Sequence, residues 1–335
     1  MPGKVLVLGG AGYVGSHCCR AFSDAGWEVT VFDNLSTGWR DLVRWGDLIE
    51  GDLNNTRDIE AAFSAVKPGA VAHFAASTLV GESVTEPGKY YRNNTFATLN
   101  LLDAMRRHGT NSIIFSSTCA IFGHAQTDLL AEDHPCNPIN PYGMSKLMVE
   151  QMLAGFDHAH GIRSACLRYF NAAGADRDGL IGERHACETH LIPLALKGAY
   201  DPGYAFTING TDFDTPDGTA LRDYIHVEDL AEAHLLALNA LESGAPSNAF
   251  NLGTGRGTSV AEIVDAVERA TGRRLPRKTG PRRPGDPARL IAAPDKAKEI
   301  LGWTATRSDV DNIITSALAW HQKDWAVNQE ASLQG

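Results

Sequence analysis

Lys4-Val-Leu-Val-Leu8, running into Gly9-Gly-Ala-Gly12-Tyr-Val-Gly15, decides how this chain folds. The apolar run after Lys4 has strand length, and residues 16–25 read as a helix. Glycines spaced three and three let the turn close, let backbone amides approach a pyrophosphate and let the helix pack on its strand, with the helix N-terminus toward the anion. The next strand, residues 27–32, ends at Asp33, where a carboxylate can hydrogen-bond a ribose diol and repel a 2'-phosphate. That pattern selects NAD over NADP. Arg40, the nearest arginine that would argue otherwise, lies beyond the strand end.

Outward from this unit, strands and helices alternate at 71–75, 90–107, 112–116, 141–158 and 162–170, the rhythm of an α/β chain with a doubly wound parallel sheet. Ligands sit at the carboxyl ends of such strands. The expected rim therefore holds Ala75 and Ala76, residues 116–118, and residues 169–171 beside the glycine turn. After Asn171 the composition shifts to glycine, aspartate and proline at 173–182 and 210–218, which read as specificity loops. Helices are expected at 188–197, 227–241, 259–271 and 308–320, with strands at 205–209 and 249–252. Two domains follow, 1–171 and 172–335, with residues near 226–255 packing back on the first.

The 335 residues, 43% hydrophobic and 21% charged, suit a globular protein with a large core. A net charge of -10 argues against nucleic acid or an anionic membrane as the main partner. No apolar stretch approaches the ~20 residues of a membrane span, and the start runs into a strand without a signal peptide, so a cytoplasmic protein is expected. Six cysteines without metal or redox spacing read as reduced thiols.

Tyr142-Gly-Met-Ser-Lys146, with Ser116-Ser-Thr118 upstream, carries the candidate chemistry. A tyrosine and a lysine four apart share a helix face. An ammonium ~4 Å from a phenol at an effective dielectric of ~20 favours the phenolate by about 4 kcal/mol, or ~3 pKa units. This brings Tyr142 toward neutrality and makes it a base for a sugar or alcohol hydroxyl as hydride leaves the adjacent carbon. Other constellations are weaker. His185-Ala-Cys-Glu-Thr-His190 lacks tetrahedral metal spacing, so no metal is expected. Gly253-Thr-Gly-Arg-Gly-Thr258 reads as a turn with Thr258 or Ser259 capping the next helix. Arg222 and Arg283 read equally as cations for a diphosphate or as solvated surface charges, and no serine elbow presents a nucleophile.

These motifs, together with Val31-Phe-Asp-Asn-Leu35, His73-Phe-Ala-Ala76, Val80-Gly-Glu-Ser83, Leu167-Arg-Tyr-Phe-Asn171 and Arg222-Asp-Tyr-Ile-His-Val227, resemble the extended short-chain dehydrogenase/reductase family, most closely its UDP-hexose 4-epimerase branch, along nearly the whole chain. The resemblance implies a Rossmann domain, a UDP-sugar-binding domain and interconversion of UDP-galactose with UDP-glucose through a 4-keto sugar. It assigns catalysis to Thr118, Tyr142 and Lys146. NAD would be lined by Gly9, Gly12, Tyr13, Val14, Asp33, Asn34, Asp52, Leu53, Phe74, Ala75, Ala76, Asn93 and Tyr169, besides Tyr142 and Lys146. The UDP-sugar would be held by Thr118, Asn171, His190, Leu191, Thr207, Asn209, Arg222, Arg283, Asp286 and Leu290. Helices at 90–107 and 141–158 resemble the pair that forms a four-helix homodimer interface.

Departures from the family pattern are Thr118 for serine, Thr78 for a lysine near the pyrophosphate, His190 for an asparagine, and Leu290 at the gate against N-acetylated sugars. Related dehydratases follow the catalytic threonine with an Asp-Glu pair; Thr118-Cys119-Ala120 lacks it. The rivals are 4-epimerases of UDP-xylose/UDP-arabinose or UDP-N-acetylglucosamine, and more remotely a non-catalytic NAD-binding module.

Overall fold

The computed structural model describes residues 3–201, 203–283 and 286–333; Pro284 and Gly285, between Arg283 and Asp286, lie outside the described residues. Six strands enter in chain order: β1 (Lys4–Leu8), β2 (Glu28–Asp33), β3 (Asp47–Glu50), β4 (Ala70–His73), β5 (Ser112–Thr118) and β6 (Arg163–Tyr169). Five short ones follow: β7 (Asn171–Ala173), β8 (Phe206–Asn209), β9 (Leu221–Arg222), β10 (Tyr224–His226) and β11 (Asn248–Leu252). The last are β12 (Thr258–Ser259), β13 (Arg277–Gly280) and β14 (Arg289–Leu290). Seven form one sheet in the order β11-β6-β5-β4-β1-β2-β3, every pairing parallel. β1, β4 and β5 are buried almost throughout, as strands covered on both faces must be. The strand order reverses between β1 and β4, and that switch point opens the crevice in which a dinucleotide lies.

Helices cover both faces. They are α1 (Tyr13–Asp24), α2 (Thr56–Val66), α3 (Val80–Thr85), α4 (Pro87–Tyr90), α5 (Ala97–His108), α6 (Pro141–His160), α7 (Leu191–Tyr200), α8 (Val227–Glu242), α9 (Val260–Thr271), α10 (Asp295–Leu301) and α11 (Val310–Leu333). One core joins α1 and α8 through Cys18, Phe22, Leu230, Ala237 and Leu241; another joins α2, α5 and α6 on the opposite face through Phe63, Leu101, Met105 and Leu153. A third unites α7, α9 and α11 around Phe206, Ile263, Leu275 and Ile314.

Several bounds differ from the expectation. The helix read at 90–107 is divided into α4, a π-helical turn at Tyr91–Phe96, and α5. Asn94, in that wide turn, accepts from Ser77 N at 2.8 Å and donates to Ser77 O and Ser145 Oγ, both at 3.0 Å, so tertiary hydrogen bonds set the irregularity. The helix read from 188 begins at Leu191, because the Glu188 carboxylate takes the amides of Thr189 and His190 at 2.7 and 2.8 Å and holds the chain extended. Helix α11 continues past 320, and β3 and α2 were not among the expected elements.

Candidate active site

The glycine turn packs too tightly for any other residue. Gly9 has φ +79°, and a Cβ there would stand 2.5 Å from Ala75 N; one on Gly15 would stand 2.2 Å from Gly9 O. Gly12 caps α1 without a side chain, so the first-turn amides are open to a phosphate. Asp33, at the end of β2, accepts Ala11 N at 3.0 Å and Leu35 N at 2.9 Å; burial nevertheless raises its pKa. The turn and its acidic residue are thus one braced unit. Arg40 pairs with Glu50, which commits it away from a 2'-phosphate. This cradle fits a dinucleotide diphosphate and a 2'-hydroxyl, the features that distinguish NAD.

Around it, Asn34 Nδ2 donates to Asp52 Oδ2 at 3.2 Å, and Leu53 is buried in the adjoining core. Asn93 Nδ2 meets Ser77 Oγ at 3.2 Å just beyond Phe74, Ala75 and Ala76, which follow β4. Val14 packs in the α1 core. Tyr13 reaches out of the first domain expected from sequence: its hydroxyl donates to Gly174 O at 2.6 Å. Phe74 lies 5.0 Å from the ring of His234 and Tyr169 lies 6.0 Å from it, so α8 supports both aromatic residues from below.

The candidate chemistry sits at the carboxyl end of β5. Asn140 caps α6 by accepting from Gly143 N at 2.8 Å, and Pro141 fills the first helical position, where it costs no hydrogen bond. Tyr142 is therefore in the first turn, where the helix dipole favours negative charge. Thr118 is near enough to its hydroxyl to lower the phenol's pKa, and Thr118 Oγ1 accepts from Ala120 N at 3.1 Å. One turn on, Lys146 is 2% exposed; its Nζ donates to Ser116 O at 2.8 Å and lies 4.8 Å from the Phe115 ring centre. Tyr169 and Ser116 are hydrogen-bonded through their hydroxyls, and Thr118 pairs with Tyr169 in register.

The electrostatics correct the expectation from spacing. Burial pushes the Tyr142 phenol up to about 12, against the help of Thr118, and burial lowers Lys146 to about 7, against the attraction of Glu150. Desolvation is the largest cause at both residues, which are far from water, and it reverses the shift expected for Tyr142 from spacing alone. The protein alone thus holds Tyr142 as a neutral phenol at pH 7.

The residues expected to hold a UDP-sugar fall into four groups. Asn171, on β7, is in register with Tyr224 of β10. His190 and Leu191 form the cap and first residue of α7. Arg222 is ion-paired with Asp286 and in register with Leu290, and Leu290 packs against a cluster containing Cys119, Phe122 and Phe170. Arg222 is also near enough to Cys119 to pull its thiol pKa down against burial, which places this group beside Thr118. Thr207 and Asn209 stand on β8, and with its amide turned over Asn209 accepts from Arg283 at 3.2 and 3.3 Å.

Sequence reasoning missed several supports. Glu150 binds Arg168 and Ser117, and stands one turn beyond Lys146, a spacing that could have revealed it. The Gly253–Thr258 loop serves Asp223, which is buried and accepts the amides of Thr254 and Gly255; Ser259 caps α9 with a capping box to Glu262. The serine alternative for that cap was the right one.

The sequence of residues 5–253 matches the model of the NAD dependent epimerase/dehydratase family. The chain belongs to that family. It is 49% identical over 319 residues to the UDP-glucose 4-epimerase of Rhizobium leguminosarum bv. trifolii, covering 95% of this chain and 97% of that one. Its fold is similar to that of UDP-glucose 4-epimerase from Brucella ovis in complex with NAD, with a TM-score of 0.92 and 49% identity over 94% of this chain and 97% of that one. It is also similar to the UDP-Glc/GlcNAc 4-epimerase of Campylobacter jejuni, with a TM-score of 0.84 and 41% identity over 96% and 99%.

Proposed function

We propose that this protein is an NAD-dependent UDP-glucose 4-epimerase, interconverting UDP-galactose and UDP-glucose at sugar C4 through a 4-keto intermediate. The observation that carries this reading is the joining of Thr118, Tyr142 and Lys146 at the end of β5, beside the glycine cradle. NAD, when bound, supplies the hydride acceptor and, because hydride is returned, leaves no net redox change. Tyr142 takes the proton of the sugar 4-hydroxyl and gives it back, and Thr118 holds the same oxygen. Lys146, anchored by Ser116 O, draws Tyr142 toward ionisation when it carries its proton. Inversion requires the keto sugar to present its opposite face between the two transfers.

The cofactor residues named above bind NAD in this reading. Arg222 and Arg283 hold the diphosphate, with Asp286 and Asn209 orienting their guanidinium groups. Residues 1–171 form the NAD-binding Rossmann domain and residues 172–335 the UDP-sugar-binding domain. The pairing of β11 with β6 and the packing of α8 on α1 support return of residues 226–255 to the first domain. A homodimer built from helices of residues 90–107 and 141–158 is supported by an apolar surface of Tyr91, Phe96, Leu99, Met148 and Met152 around a cavity of about 390 Å³. No helix among the described residues is long and apolar enough to cross a membrane, and six free thiols suit a reducing cytoplasm.

The test is to incubate the purified protein with UDP-galactose, without added NAD, and follow UDP-glucose, with UDP-arabinose and UDP-N-acetylgalactosamine in parallel. Preferred conversion of UDP-galactose is expected, and preference for another sugar moves the reading to the epimerase that acts on it. Tyr142→Phe should retain NAD and lose turnover by about 10²–10⁴-fold. Near-normal turnover in that variant sinks the mechanism.

A further inference from the structure

Of a cluster just before α7, the proposed reaction draws on His190 alone. One donor atom from each of Glu183, His185, Glu188 and His190 lies within 4.8 Å of all the others. The two histidines alone lack metal spacing in sequence. The extended chain before Leu191 turns them toward two carboxylates instead. His185 Nδ1 is 3.1 Å from Glu188 Oε2 and 3.5 Å from Glu183 Oε1; His190 Nδ1 is 3.5 Å from Glu188 Oε1 and hydrogen-bonded to Glu183.

Four ligands each ~2.0 Å from a tetrahedral ion stand ~3.3 Å apart along the edges. Three of the contacts, at 3.1 and 3.5 Å, are near that spacing, those of Glu188 through its two different oxygens. Two carboxylates with two neutral imidazoles balance one divalent cation, so binding releases to solvent the proton that His190 Nδ1 shares with Glu183. Arg184, the cation within the segment, is turned away to Asp41 and Asp324. The ligands are braced from outside, as metal ligands generally are. Trp320 Nε1 donates to Glu183 O at 2.9 Å, while the amides of Thr189 and His190 fix Glu188 Oε1. Glu183 is 4% exposed, and its buried carboxylate is compensated by His190, whose place beside it the ion would share.

We propose that Glu183, His185, Glu188 and His190 form a binding site for a divalent transition ion of the zinc class. Two imidazoles and two carboxylates suit zinc and cobalt better than magnesium or calcium, which take oxygen alone. The ion fastens the segment ending at His190 to the start of α7 and engages Nδ1 of His190, leaving Nε2 as that ring's remaining polar atom. The readout is metal content, so the outcome does not depend on which sugar is turned over.

Full-length protein, stripped with a chelator and dialysed, is titrated with Co²⁺ and then Zn²⁺. One ion per chain is expected, with the visible absorption of four-coordinate cobalt bleached by zinc. His185→Gln and Glu188→Gln should each weaken binding at least ~10–100-fold, the loss typical even of changes outside the ligand set. Exposed Cys187, the nearby thiol that could bind cobalt by itself, is the control, and Cys187→Ser should bind as wild type. No stoichiometric binding by the wild type overturns the site. So does unchanged binding in folded His185→Gln or Glu188→Gln, or loss of binding in Cys187→Ser.

Discussion

Lys146 is held between two opposing demands, because a lysine that is 2% exposed must surrender hydration while its Nζ keeps a single backbone acceptor, Ser116 O. Its pKa, lowered to about 7 chiefly by burial, couples charge to stability. Between pH 7 and about 10 the unfolded chain binds a proton there that the folded chain has released, so stability contributed at this site rises with pH. Lys146→Met removes that proton. Wild type should therefore gain about 1.4 kcal/mol per pH unit relative to Lys146→Met across this window. Urea midpoints at pH 7, 8 and 9 measure it, and parallel curves for the two proteins would show that the lysine stays charged in the fold. The same variant should fold and lose turnover by on the order of 10²-fold or more. Spacing in the sequence put Tyr142 and Lys146 on one face, and that is where they stand. It could not reveal their burial, and burial reverses the direction in which the free protein moves the Tyr142 pKa.

At the scale of elements, the glycine turn, β5 and α6 were legible because each rests on local rules: an apolar run, a glycine where only φ > 0 fits, and an Asn-Pro start. The π turn at Tyr91–Phe96 was not, since its hydrogen bonds run from Asn94 to Ser77 and Ser145, remote in sequence. The start of α7 was misplaced for a related reason: Glu188 satisfies amides that a helix would otherwise have used. Among site residues, those on strand ends could be named in advance, whereas the bracing by Ser116 and His234 depends on the sheet being assembled. The elements also make a surface that sequence periodicity only hinted at. Phe96 is 51% exposed and Leu99 and Met148 lie beside it, an apolar patch along α6 and the π turn of the kind that marks an interface. Phe96→Glu with Leu99→Glu should convert the proposed dimer to a monomer in light-scattering chromatography. An unchanged mass would place the interface elsewhere.

The whole molecule is held together at a seam where α8, from the second half of the chain, packs on α1 under the parallel sheet. Three histidines lie there, His17, His226 and His234, each lowered to about 4, first by burial. Geometry shows why protonation would hurt. His17 and His234 each present Nδ1 to a backbone carbonyl, at 2.8 and 2.7 Å, and each keeps a buried Nε2 for which the described residues supply no hydrogen-bond partner. His226 Nδ1 accepts from Glu228 N at 3.1 Å and so caps α8, a role a protonated ring nitrogen cannot fill. With an unfolded pKa near 6.5, the unfolded chain binds more protons than the folded one between about pH 6.5 and 4, so stability must fall as the solution is acidified through that window. Three such sites give a slope of at most about 4 kcal/mol per pH unit. Carboxylates held below their ordinary range, such as Asp52 and Asp217, contribute lower on the scale, which leaves this window mainly to the histidines. Unfolding midpoints in urea at pH 7, 6 and 5 should therefore drop steeply. His234→Gln, whose amide can still donate to Leu230 O, should flatten the slope by up to about 1.4 kcal/mol per pH unit. A midpoint unchanged between pH 7 and 5 would mean that the seam admits water and that these rings titrate as they do in the unfolded chain.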